Sequence, residues 1–576
     1  MAPAPRWLGE TGQPLAVAQQ ALEQLRNARQ EGLNPQDYQV DLLSEALQTS
    51  AVGGVSAEER QRVEAALTQA VTLYLSDLHR GRIDPQSIRE NYDPDVRTQY
   101  DPAAELGKAV QAGNLAPLWQ AAQPQVPMYQ GLRSELQRHL RLRNEPAWAA
   151  PLPLPVKGRA LALDNASQRA TVAQRLALLG DLPGNAANEP VTAAAFQAAL
   201  RSFQARHGIR ASGLLDRTTV ERLNAAPVET AEHIARNMER LRWAPLQQPD
   251  RMVVVNVPEY RLRAYTLAGG KVQHVLPIDV IVGKASSTRT PLFSEGMTRV
   301  EFSPYWNVPP SITKKEMLPR LSRDPGYISR NNYEIVGAGG TTTAVNADTL
   351  AALSSGRARI RQKPGPGNAM GTVKFVFPNR ENIYLHHTSS PGLFQRGQRD
   401  LSHGCVRVAD PVALAQFVLQ GNPQWPQERI RRHMDKRISA NAAVEPPIPV
   451  ILTYITTVID EDGKLTIQPD IYGQDRVLKQ ALDKLPARRA PKAPQGFVAP
   501  VVPALNEVPA SEAPQPVAPV APAEAPAPVV VSRPAAPRGV VAPRAVVPAA
   551  TTPATPQPLL LPQPTTDAMS AGGKFQ

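Results

Sequence analysis

"RMVVVNVPEYRLRAYTL", Arg251 to Leu267, is where the chain changes its period. Before it, apolar residues recur every three or four positions. From here they recur every second position, the signature of strands. "VLPIDVIVG" (Val275–Gly283), "TVKFVFP" (Thr372–Pro378) and "NIYLHHT" (Asn382–Thr388) repeat the pattern, rich in valine, isoleucine and aromatics. A mainly β domain over residues 250–475 follows. "PVILTYITTVIDEDGKLTIQPDIYG" closes it with a hairpin about Asp462-Gly463, a dipeptide suited to a tight turn. "PYWNVPPSITKKEMLPRLSRDPGYISRNNYEIV", Pro304 to Val336, breaks the alternation with helix and turn signals ahead of "QKPGPGN". An insertion around 304–365 is expected either to act as a lid on a cleft or to decorate the domain.

Upstream, "LAVAQQALEQLRNARQEGL" and "SAEERQRVEAALTQAVTLYLSDLHRGRIDP" place leucine, valine and alanine at helical spacing, predicting a helical scaffold domain over 1–150. Four prolines in "PAWAAPLPLPVKG", Pro146 to Gly158, end it. Residues 156–228 read as three short amphipathic helices: Val172, Leu176 and Leu179 on the first, Phe196, Leu200 and Phe203 on the second, and a Thr-capped third. Residues 486–576 hold more than a third of the 59 prolines with hardly an aromatic, predicting a disordered Pro/Ala-rich tail. The fold class is therefore multidomain α+β.

Composition bounds the chemistry. With 42% apolar and 20% charged residues, the 576-residue chain is globular on average. A net charge of +12 predicts attraction to polyanions, and it does not choose between nucleic acid, anionic lipid and a carboxylate-bearing wall polymer. No apolar run reaches the roughly 18 residues of a membrane span, and no export signal is visible at the start. The single cysteine, Cys405, excludes a disulfide framework and any multi-cysteine metal site. It stands in "SHGCVRV", Ser402 to Val408, as a buried hydrophobe or a reactive thiol.

Alternation chooses between them. On "NIYLHHT" the apolar face carries Ile383, Leu385 and His387, and the other carries Tyr384 and His386. On "SHGCVRV", Val406 and Val408 face inward, sending His403, Cys405 and Arg407 outward. His386 is thus the expected base for Cys405, with His387 in reserve should a bulge shift the register. A neutral imidazole takes the thiol proton, and the ion pair maintains a thiolate that attacks a carbonyl. Gly404 leaves room for a substrate, with the amides of Cys405 and Gly404 as oxyanion donors. Arg407 is placed to clamp a carboxylate or to serve a structural salt bridge, and His403 to orient substrate or brace the turn. A zinc site from His386, His403 and Cys405 is conceivable, but no HExxH or paired CxxC supports it. No metal or cofactor is expected.

"IYLHHTSSPGLFQRGQRDLSHGCVRV" resembles the signature of the L,D-transpeptidases. "SPYWNVPPSI", "RQKPGPGNAMGTVKFVFPN" and "TYITTVIDEDGKLTIQPDIYG" resemble their large Gram-negative branch, which joins a helical scaffold, a peptidoglycan-binding module and a catalytic domain with a capping insertion. "FQARHGIRASGLLDRTTVERL" resembles the three-helix peptidoglycan-binding module. The resemblance implies Cys405 as nucleophile, His386 as proton carrier, and an oxyanion pocket at Gly404 and Cys405. His403, Arg407 and Tyr384 complete the expected substrate site. It implies a thioester on the third stem residue, meso-diaminopimelate, with release of D-alanine and formation of a 3-to-3 cross-link in the periplasm. Peptidoglycan stem peptides are then the partners, with no nucleic acid, and carbapenems are covalent inhibitors. The same acyl-enzyme would serve an L,D-carboxypeptidase or a lipoprotein-anchoring enzyme. A decayed, wall-binding scaffold is the alternative from another class.

Overall fold

The computed structural model describes residues 6–485 except 54, 93–99, 163–165, 184–190, 244–249 and 269–270. The expected disordered tail lies outside the described residues. The N-terminal part is helical. Helix Ala16–Arg26 packs Val17, Ala21, Leu22 and Leu25 against Leu67, Val71 and Leu75 of helix Ala57–Arg80. Ser56 starts the longer helix with a reciprocal capping box to Glu59. A two-residue strand, β1 (Glu90–Asn91), leaves this helical region to join the sheet described below.

The second group of helices, Ala166–Leu178, Ala193–Arg206 and Arg217–Asn224, has its own core of Val172, Leu176, Leu200, Phe203, Val220 and Leu223. The third helix is capped by Asp216, whose carboxylate accepts from Thr219 N at 2.8 Å; the threonine expected as the cap is instead its beneficiary. Gln204, fully buried, accepts from Gly213 N and donates to Leu214 O and Thr219 Oγ1, so it fixes the loop between helices. Helix Pro227–Trp243, which the sequence reading missed, leads into the sheet.

The strands are β2 (Arg251–Asn256), β3 (Arg261–Ala268), β4 (Lys271–Gly283), β5 (Leu292–Phe302), β6 (Trp306–Asn307), β7 (Tyr333–Gly337), β8 (Gly340–Thr342), β9 (Arg359–Gln362), β10 (Val373–Val376), β11 (Leu385–His386), β12 (Asp400–Ser402), β13 (Val406–Val408), β14 (Ala440–Thr453), β15 (Thr457–Ile459) and β16 (Leu465–Ile467). The main sheet runs β1-β5-β10-β11-β13-β4-β3-β2-β14, and β14 pairs β5 as well, so the ring closes. Val450, Ile451 and Leu452 of β14 pair β2 and β5 at once, and the pairing with β5 shifts register between Ala443 and Ile448. Inside lie Val253, Leu262, Val280, Phe302, Phe375, Leu385, Val406 and Val408, covered by Leu414 and Phe417 of helix Pro411–Val418.

The insertion holds a sheet of order β6-β9-β7-β8 and a separate core of Val308, Met317, Leu321, Ile335, Leu353 and Ile360. β15 and β16 form the expected hairpin, with the turn at Asp460–Lys464. It stands apart from the ring: Val458 and Leu465 pack on Tyr129, Leu132 and Leu136 of the scaffold. Among the described residues no helix is long and apolar enough to cross a membrane.

Candidate active site

Three short strands lie side by side with one register. Lys374 of β10 pairs His386 of β11, and His386 pairs Arg407 of β13. In the next row Phe375, Leu385 and Val406 pair in the same order, and all three are fully buried in the core. Because side chains alternate, Lys374, His386 and Arg407 must occupy the opposite face, with Tyr384 and Cys405 one step further along. The alternation read from sequence thus describes Leu385, His386, Val406 and Arg407, but not His387 and His403, whose rings bond to Thr372 and Glu316. Cys405 lies two residues before Arg407, the residue that pairs His386 across the parallel strands β11 and β13.

The turn from β12 to β13 carries the cysteine and is pinned by hydroxyls. Ser402 Oγ donates to Cys405 O at 2.5 Å and accepts from Gly404 N at 3.1 Å. Thr290 Oγ1 donates to Gly404 O at 2.8 Å, and Thr288 Oγ1 to Ser402 O at 2.9 Å. Gly404 has φ +114°, and a Cβ there would come within 3.3 Å of Ile383 Cδ1, so only glycine fits without strain. Its N–H is spent on Ser402. Of the two amides expected to receive an oxyanion, that of Cys405 has no protein acceptor among the described residues.

Cys405 is partly buried at the margin of the core. Its thiol donates to Asn382 O at 3.8 Å. Burial pushes the thiol up, while a hydrogen bond from the Tyr384 backbone and the charges of Lys374 and Arg407 pull it down. His386 is 5% exposed, and its Nδ1 lies 2.5 Å from His387 O. Burial first, and the Arg407 guanidinium second, hold its pKa down at about 3. These directions favour a neutral thiol beside a neutral imidazole at rest, in place of the resting ion pair expected from sequence. His387 is turned elsewhere: its Nδ1 accepts from Thr372 N at 3.3 Å and lies 3.1 Å from Thr372 Oγ1.

The remaining predicted residues divide. Arg407 flanks His386, is partly desolvated, and among the described residues has no carboxylate partner. Tyr384 receives Lys374 Nζ over its ring, 3.8 Å from the centroid. His403 points away from the thiol row: its Nε2 lies 2.9 Å from Glu316 Oε1, on the π-helical turn Thr313–Met317 of the insertion. It therefore ties the turn to the insertion. Sequence reading missed Lys374, Thr288, Thr290 and Glu316. Only Lys374 left a signal, a cation alternating with Val373 and Phe375 on the non-core face of its strand.

Residues 250–425 match the YkuD family, an L,D-transpeptidase catalytic domain, and residues 2–136 match a scaffold domain family. A Haemophilus influenzae (strain ATCC 51907 / DSM 11121 / KW20 / Rd) protein, to which the name L,D-transpeptidase is given provisionally, is 34% identical over 251 residues. The match covers 43% of this chain and 49% of that protein, so the chain spans about half the length of the relative.

Proposed function

The chain belongs to the L,D-transpeptidase family, and from that premise we propose that it is a cysteine acyltransferase which forms 3-to-3 cross-links in peptidoglycan. Cys405 Sγ attacks the carbonyl carbon of the third stem residue, meso-diaminopimelate, as its proton passes to His386. The Cys405 amide receives the oxyanion. Collapse breaks the C–N bond, and the proton on His386 leaves with the D-alanine amine, giving a thioester. The side-chain amine of a second stem then attacks, returns a proton through His386 to the sulfur, and frees the thiol. Arg407 and Lys374 suit the carboxylates of such a stem, and the three-helix module of residues 156–228 would hold the wall polymer. The periplasm is the compartment where that substrate lies.

The observation that supports this reading is the register of β11 against β13, which pairs Leu385 with Val406 in the core and His386 with Arg407 in the next row, two residues from Cys405. Mass spectrometry with a carbapenem, then with tetrapeptide muropeptides, tests it. A Cys405 adduct and a 3-to-3 dimer are expected, and Cys405→Ala should lower dimer formation by about a thousandfold or more. Adduct without dimer would point to water or a lipoprotein amine as acceptor. No adduct would leave a wall-binding scaffold.

A further inference from the structure

His386 lies between two cations. In register Lys374 stands on one side of it and Arg407 on the other, all three on the face that Cys405 shares. Protonating the ring would place three positive charges in one row, on adjacent strands about 5 Å apart. A thiolate at Cys405 would instead be opposite in sign to both neighbours. Among the described residues the groups that act on this row are Arg299 and Glu301 from β5, Lys374 from β10, Tyr384 and His386 with the adjoining His387 at β11, and Arg407 from β13. Glu301 Oε2 lies 3.5 Å from Lys374 Nζ, and its Oε1 is shared with Arg299 at 2.9 Å, so the carboxylate only partly neutralises the lysine. Lys374 is also held in place, its ammonium resting on the Tyr384 ring.

We infer that Lys374 is an electrostatic positioning residue: with Arg407 it supplies positive charge that lowers the cost of forming the Cys405 thiolate as its proton leaves, while His386 rests as a neutral ring that only carries protons. The inference rests on the proposed nucleophilic role of Cys405. The same two cations oppose the effect of burial on the thiol, in agreement with it.

Because Cys405 is the sole cysteine, alkylation of the full chain by iodoacetamide reports on one sulfur. Its rate, followed by intact mass from pH 5 to 10, gives the midpoint of thiolate formation. Lys374→Met should raise the midpoint by about one unit, slowing alkylation at pH 7 about tenfold. Lys374→Arg keeps the charge and should stay within about threefold of wild type, and Glu301→Gln, which unmasks the lysine, should speed the reaction about threefold. The decisive sign is an acceleration that comes from a lower midpoint with the high-pH plateau rate unchanged, since loosening of the fold would expose the partly buried thiol and speed alkylation at every pH. A wild-type midpoint in Lys374→Met overturns the inference. So does Lys374→Arg behaving like Lys374→Met, which would assign the lysine to packing on Tyr384, and so does no acceleration in Glu301→Gln. Muropeptide adducts on wild type test the nucleophile itself: absent adducts sink the proposed function, whereas adducts with an unmoved Lys374→Met midpoint sink this inference alone.

Discussion

Arg240 and Arg407 are both guanidinium groups drawn out of water beside the same ring of strands, yet their surroundings differ in kind. Arg240, 1% exposed, sits at the seam between scaffold and sheet, with its Nε 3.5 Å from Glu90 and its Nη1 on Asp475. Asp475 also accepts from Thr456 Oγ1 at 2.7 Å and pairs His233 at 2.8 Å. Nearby, Arg242 Nη1 meets Glu239 at 3.1 Å. Each cation there has a carboxylate. Around Arg407 the only acid in the row among the described residues is Glu301, three strands away and already shared with Lys374 and Arg299. A closed set of charges fixes a seam, whereas an open one leaves a field to act on a bound anion or a reacting sulfur.

The contrast can be broken at several points. The largest effect is expected from His386→Ala, a loss of about a hundred- to ten-thousandfold in turnover. His387→Ala, whose ring serves Thr372, should cost less than about tenfold; the opposite ranking in steady-state rates would relocate the base. Arg240→Ala should cost about 3–5 kcal/mol by stranding Glu90 and Asp475. Denaturant unfolding measures that loss, and the alkylation midpoint of Cys405 should not move with it. If it moved, the two charge clusters would be one.

The pH dependence of stability separates the clusters again. His386 has its folded pKa depressed to about 3, so the folded state refuses a proton that the unfolded chain accepts; stability from this group is present above pH ~6.5 and lost as pH falls toward 3. Glu90 has its pKa pushed up by burial to about 7, so its contribution is present below pH ~4.5 and lost as pH rises through 7. His386→Gln should flatten the acid limb of a melting-temperature profile, and Glu90→Gln the limb approaching neutrality. The smallest effect belongs to Glu316→Ala. Its pair with His403 is exposed and worth under about 1 kcal/mol, so global stability should hold. Hydrogen exchange across Ser311 to Val336 should quicken if the pair steadies the cap, and unchanged exchange would remove that role.

The cysteine face was legible because it depends on a period of two within each segment. Leu385 and Val406 are apolar and their neighbours are not, which fixes the faces before any pairing is known. The row of Lys374, His386 and Arg407 was not legible, because register between separate segments is set by tertiary pairing and leaves no trace in either one. Lys374 alternates correctly on its own strand, but nothing local says which residue it will stand beside. The cap at Asp216 was misread as threonine because both residue types cap helices and they lie close together in "DRTT". Glu90 and Asn91 gave no strand signal, since two polar residues after a short turn cannot show a period.

That two-residue strand reaches further than its length suggests. Leu292 and Phe293 receive β1 alongside, from a part of the chain some two hundred residues earlier. During synthesis the helical half must therefore wait, with this fragment unclaimed, until β5 has been made. A shortened protein beginning at the ring would emerge with a bare ledge on β5 and with Asp475 deprived of Arg240, so the two halves are separate matches to known families but one unit of assembly.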